Sequence, residues 1–282
     1  LCYAGSVLHA RPECFLNSRE PLQAGAELYG FDGIAADIEI IGLMLDSLAL
    51  ADFGDVLLSL GHIGVFRALA ASAELSPQQA ETLLAMMQDK NVAAVREQVE
   101  AWALDGMWRK AFSLLPTLYG GREILAQARE KLPDLSLIGK ALDELEAVCQ
   151  AFPQRAVHID LAELRVDNYH TGLLYAAYGS DGHDAVARGG RYDGLGGYFG
   201  RSRPATGFSF DLRKFLGRLP QGERRTAIAV ALADAADAAG EIARLRAEGE
   251  TVVVDYGMEA NSTRDGSRRL LKQDGKWVVL GD

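Results

Sequence analysis

Hydrophobic positions form short strand-like segments at the start of the chain and then recur at helical spacing. Residues 1–8 and 22–29 are apolar segments separated by a polar stretch that contains Pro12. This pattern predicts two strands joined by a long connection. From Ala35 onward the apolar residues fall on one helical stripe: Ile38, Ile41, Met44, Leu45 and Leu48. Residues 57–61 predict another strand.

Residues 62–150 predict a helical insertion between two strand-rich parts. Ser76, Pro77 and Gln79 have the spacing of a capping box at the start of a helix. Asn91 is placed to cap the helix that follows. The end of the insertion keeps the period of 3.6 residues: Leu137, Ala141, Leu142, Leu145 and Val148.

Strands return after the insertion. Residues 157–164 alternate, residues 172–178 are apolar and aromatic, and a short helix is predicted over 211–219. The tail predicts a strand, a helix, a strand and a hairpin, over 226–232, 234–248, 251–256 and 269–280, with Asp274-Gly275 at the hairpin turn. We expect an α+β fold with a core domain over 1–217, including the insertion, and a small α/β domain over 223–282.

Composition excludes several classes of protein. With 282 residues and 49% hydrophobic residues the chain can form a sizeable core, which excludes extensive disorder. No run of about 18 apolar residues occurs, so we expect no membrane span. The net charge of −10 argues against a general nucleic-acid binder.

Cys2, Cys14 and Cys149 lack metal or disulfide spacing, which favours a reducing cytoplasm. Because the chain starts at Leu1 inside a predicted strand, we expect an upstream segment to precede it.

The common catalytic motifs are missing from the sequence. It has no GxxxxGK[ST] phosphate loop, no HExxH zinc helix and no GxSxG nucleophile elbow. The glycines of 194–200 resemble a dinucleotide loop, but no βαβ unit surrounds them. The five histidines lack the spacing of metal ligands. We therefore expect neither a metal nor a cofactor.

One predicted strand carries polar side chains that could meet a ligand. In an extended strand Gln23, Gly25 and Glu27 share a face, and Gly25 leaves room for a ligand to approach between the other two. Taken alone, Gln23 and Glu27 are more simply interpreted as a solvated strand face.

Four segments resemble the histidyl-tRNA synthetase family, a branch of the class II synthetases. Residues 164–172 (LRVDNYHTG) and 189–195 (GGRYDGL) resemble its two histidine-specific signatures. Residues 3–30 look like its motif 2, and residues 205–214 look like its motif 3. The resemblance covers roughly residues 1–217 and implies a class II synthetase-like antiparallel sheet flanked by helices.

The resemblance also implies a pocket for free histidine. A histidine ligand needs acceptors for its ammonium group, a cation for its carboxylate and partners for its imidazole nitrogens. The family uses the positions that are occupied here by Gln23, Glu27, Arg165, Tyr169, His170 and Tyr192. Individually each has an ordinary structural interpretation: an ion pair for Arg165 and half-buried packing for the tyrosines. His170 replaces a second tyrosine of the signature.

The nucleotide site departs from the family pattern. Class II enzymes hold ATP with one arginine in motif 2 and one in motif 3, and the aligned residues here are His9 and Lys214. Where the family has an acidic residue shortly after the first arginine, this chain has Arg11. Where the family has a glutamate after the first signature, this chain has Ala176. Neither His nor Lys reproduces the bidentate fork of arginine. We therefore expect no activation of histidine by ATP.

A synthetase scaffold that keeps the histidine pocket but lacks the two ATP-binding arginines resembles the family of regulatory subunits of ATP phosphoribosyltransferase. That resemblance implies a cytoplasmic subunit without catalytic activity of its own, which joins a short-form catalytic subunit in the first step of histidine biosynthesis and binds histidine for feedback control. It also implies self-association as a dimer, with neither tRNA nor a membrane as partner. Two alternatives stay open: an active histidyl-tRNA synthetase, and a free-standing histidine-binding module.

Overall fold

The chain folds into two compact units. The computed structural model describes residues 1–9, 19–53, 55–163, 169–180, 184–215, 226–256 and 268–281. The two units span Leu1–Leu219 and Pro220–Asp282. No helix within the described ranges is long and apolar enough to cross a membrane.

A mainly antiparallel sheet organises the first unit. Its strands are β1 (Cys2–Ser6), β2 (Leu22–Tyr29), β3 (Leu57–His62), β4 (Tyr119–Gly120), β5 (Val157–Asp160), β6 (Leu173–Tyr178), β7 (Ala185–Arg191) and β8 (Ala205–Asp211). Their order across the sheet is β1-β2-β8-β7-β6-β3-β5-β4, and among these pairs β3–β5 is parallel. Strands far apart in sequence, β2 and β7, therefore both flank β8.

Seven helices accompany this sheet in the described part of the unit. They are α1 (Ile34–Leu50), α2 (Ile63–Ser72), α3 (Pro77–Gln88), α4 (Val92–Ala101), α5 (Gly106–Leu114), α6 (Glu123–Lys131) and α7 (Ser136–Ala151). The predicted capping box of α3 is confirmed, since Gln79 N donates to Ser76 Oγ at 3.3 Å and Ser76 N donates to Gln79 Oε1 at 2.9 Å. The Asn91 cap of α4 is confirmed as well. Strand β4 interrupts the predicted helical insertion, and two residues are too short to give a periodic signal.

Helix α1 packs against one face of the sheet and leaves the other face for the candidate site. Its predicted apolar stripe is confirmed: Ile41, Met44, Leu45 and Leu48 are buried in the main core with Phe208 of β8. Burial of such side chains stabilises the fold by about 1.5–3 kcal/mol each. The stripe therefore fixes which residues of β7 and β8 face the core.

Two predicted helices differ from the structure. The predicted helix over 211–219 is wrong at its start, because Asp211 is the last residue of β8, where it pairs with Gln23. A 3₁₀ helix, Leu212–Phe215, follows it, and residues 216–219 lie outside the described ranges. The predicted helix over 234–248 is shorter, Ala239–Ala247. Successive turns precede it, such as Asp234 N to Ala231 O at 2.9 Å, because the chain must reverse direction after a strand.

The second unit has a small sheet and a core of its own. Its elements are β9 (Ile228–Ala231), α8 (Ala239–Ala247), β10 (Val252–Asp255), β11 (Arg269–Gln273) and β12 (Lys276–Leu280). The strand order is β10-β9-β11-β12, with β10 and β11 parallel to β9. The predicted Asp274-Gly275 hairpin is confirmed, with φ of 48° and 77°, which suits a turn of the primed type.

A buried ion pair joins α1 to the end of β7. Arg191 donates to Asp37 Oδ2 through Nε at 3.0 Å and through Nη2 at 2.6 Å. The side chains are 8% and 1% exposed, so the two charges depend on each other for compensation. Arg191 also donates to the carbonyl oxygens of Phe31 and Gly33, which tie the segment before α1 to the sheet.

Removing Asp37 should destabilise the fold strongly. Asp37→Ala leaves the buried Arg191 charge with only the more exposed carboxylate of Asp193, at 3.3 Å, and we expect a cost of about 3 kcal/mol. The free energy of unfolding in urea measures this loss. The control is Arg129→Ala, which breaks an exposed pair with Asp143 and Glu146 and should change stability by less than about 1 kcal/mol. Equal effects of the two substitutions would contradict the anchoring role of the buried pair.

Candidate functional site

Two glycines lie next to Glu27 on the face of the sheet opposite α1. The strand register pairs Glu27 of β2 with Gly207 of β8, and Gly207 with Gly190 of β7. A Cβ added at Gly207 would lie 1.6 Å from Glu27 Oε2, and one added at Gly190 would lie 2.5 Å from His170 Cδ2. The two glycines therefore form a floor, called here the glycine floor, on which the side chains of Glu27 and His170 rest.

Aromatic rings surround the carboxylate of Glu27. The hydroxyl of Tyr192 donates a short hydrogen bond to Glu27 Oε2. The Tyr192 ring is edge-on to Tyr169 and His170, at centroid distances of 5.6 and 6.3 Å, and Tyr169 stacks on His170 at 4.3 Å. We call these four side chains the aromatic carboxylate pocket. The pocket combines one acceptor carboxylate, that of Glu27, with a group of three packed aromatic rings.

Partial burial changes the proton affinities in this pocket. Burial raises the pKa of the Glu27 carboxyl, although the hydrogen bond from Tyr192 opposes that shift. Burial and the adjacent Glu27 carboxylate also raise the pKa of Tyr192. Tyr192 therefore keeps its proton and acts as the donor. A buried carboxylate with one such donor still has acceptor capacity for a positively charged or N–H-bearing ligand.

Tyr3 belongs to the site and was missed at the level of sequence. It pairs with Gly25 in the β1–β2 ladder, and a Cβ on Gly25 would lie 2.7 Å from the Tyr3 hydroxyl. That hydroxyl accepts a hydrogen bond from Gln23 Nε2 at 3.0 Å. The expectation that Gly25 leaves room for a ligand is therefore corrected: the phenol of Tyr3 takes that space. Knowledge of the β1–β2 register would have found it.

The second signature divides its residues between the two faces of the sheet. Tyr192 points into the aromatic carboxylate pocket, whereas Arg191 before it forms the buried pair with α1. Asp193 after it accepts hydrogen bonds from Thr171 Oγ1 at 2.9 Å and from Ala205 N at 3.2 Å. These contacts hold the start of β8 and the first signature beside β7. Two neighbours of Tyr192 thus fix the position of its ring.

A separate cleft of about 160 Å³ lies on the same face, toward the other end of β2. Its lining includes His9, Gln23, Arg188, Asp211 and Lys214. The ammonium group of Lys214 donates to the carbonyl of Ala185 at 3.2 Å. The carboxylate of Asp211 accepts from two backbone N–H groups, at 3.1 and 3.0 Å. Two charged side chains of the lining are therefore already hydrogen-bonded to the protein backbone.

The structure brings most of the predicted residues together. Glu27, Tyr169, His170 and Tyr192 form the aromatic carboxylate pocket, and Gln23 reaches it through Tyr3. His9 and Lys214, predicted to mark a degenerate nucleotide site, line the neighbouring cleft. The predictions for Arg11 and Arg165 lie outside the described residues.

Comparison with known proteins agrees with this arrangement. The family model "Histidyl-tRNA synthetase" matches residues 1–215, and the model "ATP phosphoribosyltransferase subunit HisZ C-terminal domain" matches residues 225–280. An ATP phosphoribosyltransferase regulatory subunit of Neisseria meningitidis is 65% identical over 280 residues, which is 99% of this chain and 73% of that protein.

Two solved structures resemble the chain. One, from Bacillus halodurans, is described as an ATP phosphoribosyltransferase regulatory subunit/histidyl-tRNA synthetase; it has a TM-score of 0.75 and 28% identity, over 93% of this chain and 68% of that one. The other is an ATP phosphoribosyltransferase (HisG:HisZ) complex from Thermotoga maritima, with a TM-score of 0.57 and 21% identity, over 75% of this chain and 72% of that one. At that identity the second likeness shows the fold alone.

The sheet, its flanking helices and the two signatures define a histidyl-tRNA synthetase-like fold of class II, as predicted. The sequence match extends through the C-terminal unit to a domain that the synthetase model does not cover. The chain belongs to the family of ATP phosphoribosyltransferase regulatory subunits.

The glycine floor makes a direct prediction about stability. Gly207→Ala places a methyl group against the Glu27 carboxylate and 2.8 Å from the Ala26 carbonyl oxygen, so the side chain of Glu27 must move. We expect a loss of about 1–3 kcal/mol in urea unfolding. The control is Gly139→Ala in α7, where a Cβ meets nothing within 4 Å. It should stabilise the protein by about 0.5–1 kcal/mol. A neutral Gly207→Ala would refute the close approach.

Proposed function

We propose that this chain is a histidine-binding regulatory subunit of ATP phosphoribosyltransferase and that it has no catalytic activity of its own. The observation that carries the proposal is the pairing of an intact aromatic carboxylate pocket with a cleft that lacks both ATP-binding arginines. The pocket offers the chemistry for an amino acid. The cleft offers His9 and Lys214 in place of the two guanidinium groups.

Histidine matches the chemistry of the pocket. Its imidazole is planar and carries N–H groups, so it matches the aromatic side chains of the pocket as a packing partner and Glu27 as an acceptor. Gln23 and Tyr3, which are already hydrogen-bonded to each other, offer polar atoms for the amino-acid backbone. In this proposal Arg165 supplies a cation for the ligand carboxylate, as the family resemblance implies. His170 closes the pocket by packing over Gly190.

The neighbouring cleft is poorly suited to ATP. The class II pattern holds the ATP phosphates with planar guanidinium groups that contact their oxygens bidentately, whereas lysine binds phosphate as a point charge. Lys214 is also hydrogen-bonded to the β7 backbone. The lining also holds Arg188 and the carboxylate of Asp211, so the cleft carries charges of both signs. Chemistry is therefore assigned to the partner.

The partner in this proposal is a short-form catalytic subunit that condenses ATP with phosphoribosyl pyrophosphate, in a hetero-oligomer where this chain also self-associates. Histidine regulates such a complex only if it binds two states of it with different affinities. Residues 1–217 would hold the effector, with 223–282 as a separate domain. We place the complex in the cytoplasm, and the free thiols of Cys2 and Cys149 suit that reducing compartment.

Histidine binding should depend on the predicted charges. Glu27→Gln and Arg165→Ala each remove one charged partner of the ligand, which typically costs on the order of 2 kcal/mol or more, or roughly 30-fold in affinity. Isothermal titration calorimetry with histidine measures both. His9→Ala, which changes only the neighbouring cleft, should leave the affinity nearly unchanged. If histidine binds and neither charge substitution matters, the pocket lies elsewhere.

Mixing with the catalytic subunit tests the regulatory role. Product formation from ATP and phosphoribosyl pyrophosphate should require both a short-form catalytic subunit and this chain, since neither completes the complex alone. The same rate with and without this chain would refute the proposal. Histidine-dependent pyrophosphate exchange by the purified chain well above background would instead support the alternative, an active histidyl-tRNA synthetase.

A further inference from the structure

A row of residues next to the glycine floor has an unexpected charge. The ladders place Tyr3, Gly25, Ser209 and Arg188 in line across β1, β2, β8 and β7, and Ala176 of β6 continues the row. The family resemblance leads one to expect a glutamate at the position of Ala176. The row therefore lacks the expected carboxylate on β6 and carries a guanidinium group, that of Arg188, on the neighbouring strand β7.

Arg188 stands one step from the glycine floor. It precedes Gly190 by two residues on β7, so both face the same side of the sheet, about 7 Å apart along the strand. Arg188 is exposed, and its cross-strand neighbours are the small residues Ser209 and Ala176. Arg188 and Gln23 both line the neighbouring cleft.

The two ends of this surface differ in charge. At one end, Glu27 offers an acceptor carboxylate inside aromatic rings. At the other end, Arg188 offers a planar fork of donors that matches a carboxylate bidentately. A ligand that spans them needs a flat nitrogen heterocycle at one end and an anionic group at the other. An α-amino acid with an imidazole side chain has both.

We propose that Arg188 is a specificity-determining residue that selects for the carboxylate of the bound amino acid. The inference rests on the proposed histidine pocket and adds a cation from the second signature strand. The pocket thereby rejects imidazole compounds that carry an amine but no carboxylate. A regulatory subunit with this residue responds preferentially to the finished amino acid over analogues whose carboxylate is reduced or missing.

The test compares ligands that differ only at the carboxylate. Affinities for histidine, for histidinol, which has a hydroxymethyl group instead, and for histamine, which lacks the group, are measured by calorimetry on the full chain. The wild type should prefer histidine by about tenfold or more, as expected for a charge-assisted contact. Arg188→Ala should weaken histidine binding by about fivefold or more and change histidinol binding by less than about twofold, so that the preference falls although Arg165 remains.

Further variants separate this role from a structural one. Arg188→Lys keeps the charge and should retain part of the preference, which a merely structural residue would not explain. Arg96→Ala, at an exposed position of α4, removes one arginine elsewhere and should change neither ligand. If the wild type binds histidine but Arg188→Ala keeps its preference, the inference is wrong and the proposed function stands. If the wild type does not bind histidine at all, both are wrong.

Discussion

The antiparallel register of β2, β8 and β7 is the constraint on which the site depends. It sets Glu27, Gly207 and Gly190 side by side, and only residues without a Cβ allow the Glu27 side chain to lie flat on the sheet. A one-residue slip of β2 would turn Glu27 toward the core, and a one-residue slip of β8 would turn Phe208 away from it. The apolar stripe of α1 prevents that slip, because it buries Phe208 on the opposite face.

The same alternation explains how one short signature serves both stability and binding. Arg191 points to the core side, where Asp37 compensates its charge, and Tyr192 points to the ligand side, where it donates to Glu27. The buried pair contributes little net stability by itself, but breaking it is costly. The position of the Tyr192 ring is therefore supported by a neighbour on the opposite face of the sheet.

Part of this arrangement could be predicted from sequence, and the reasons for the rest are physical. The stripe of α1 and the capping box of α3 follow from local periodicity and spacing, so they were found without a structure. Tyr3 was missed because its role depends on pairing across a long connection, whose register has no local signature. Strand β4 was missed because two residues carry no period. The ligand role of Glu27 came from the family resemblance, since a lone strand face is ambiguous.

The contribution of Arg188 illustrates the same limit. Its neighbours along the chain identify it only as a polar residue before two glycines. Its place in one row with Ser209 and Gly25 follows from two ladders that join distant segments. The position of this positive charge in the row therefore depends on the pairing of several strands and is not visible in any one segment of the sequence.

We propose that the aromatic carboxylate pocket holds the amino acid and that the adjacent cleft does not hold a nucleotide. The most direct measurement is a crystal structure of the chain grown with both histidine and ATP. We expect density for histidine with its imidazole packed against the aromatic rings and hydrogen-bonded to Glu27, and no ordered triphosphate beside His9 and Lys214. Histidine bound at another surface, or an ATP molecule ordered in the cleft, would contradict it.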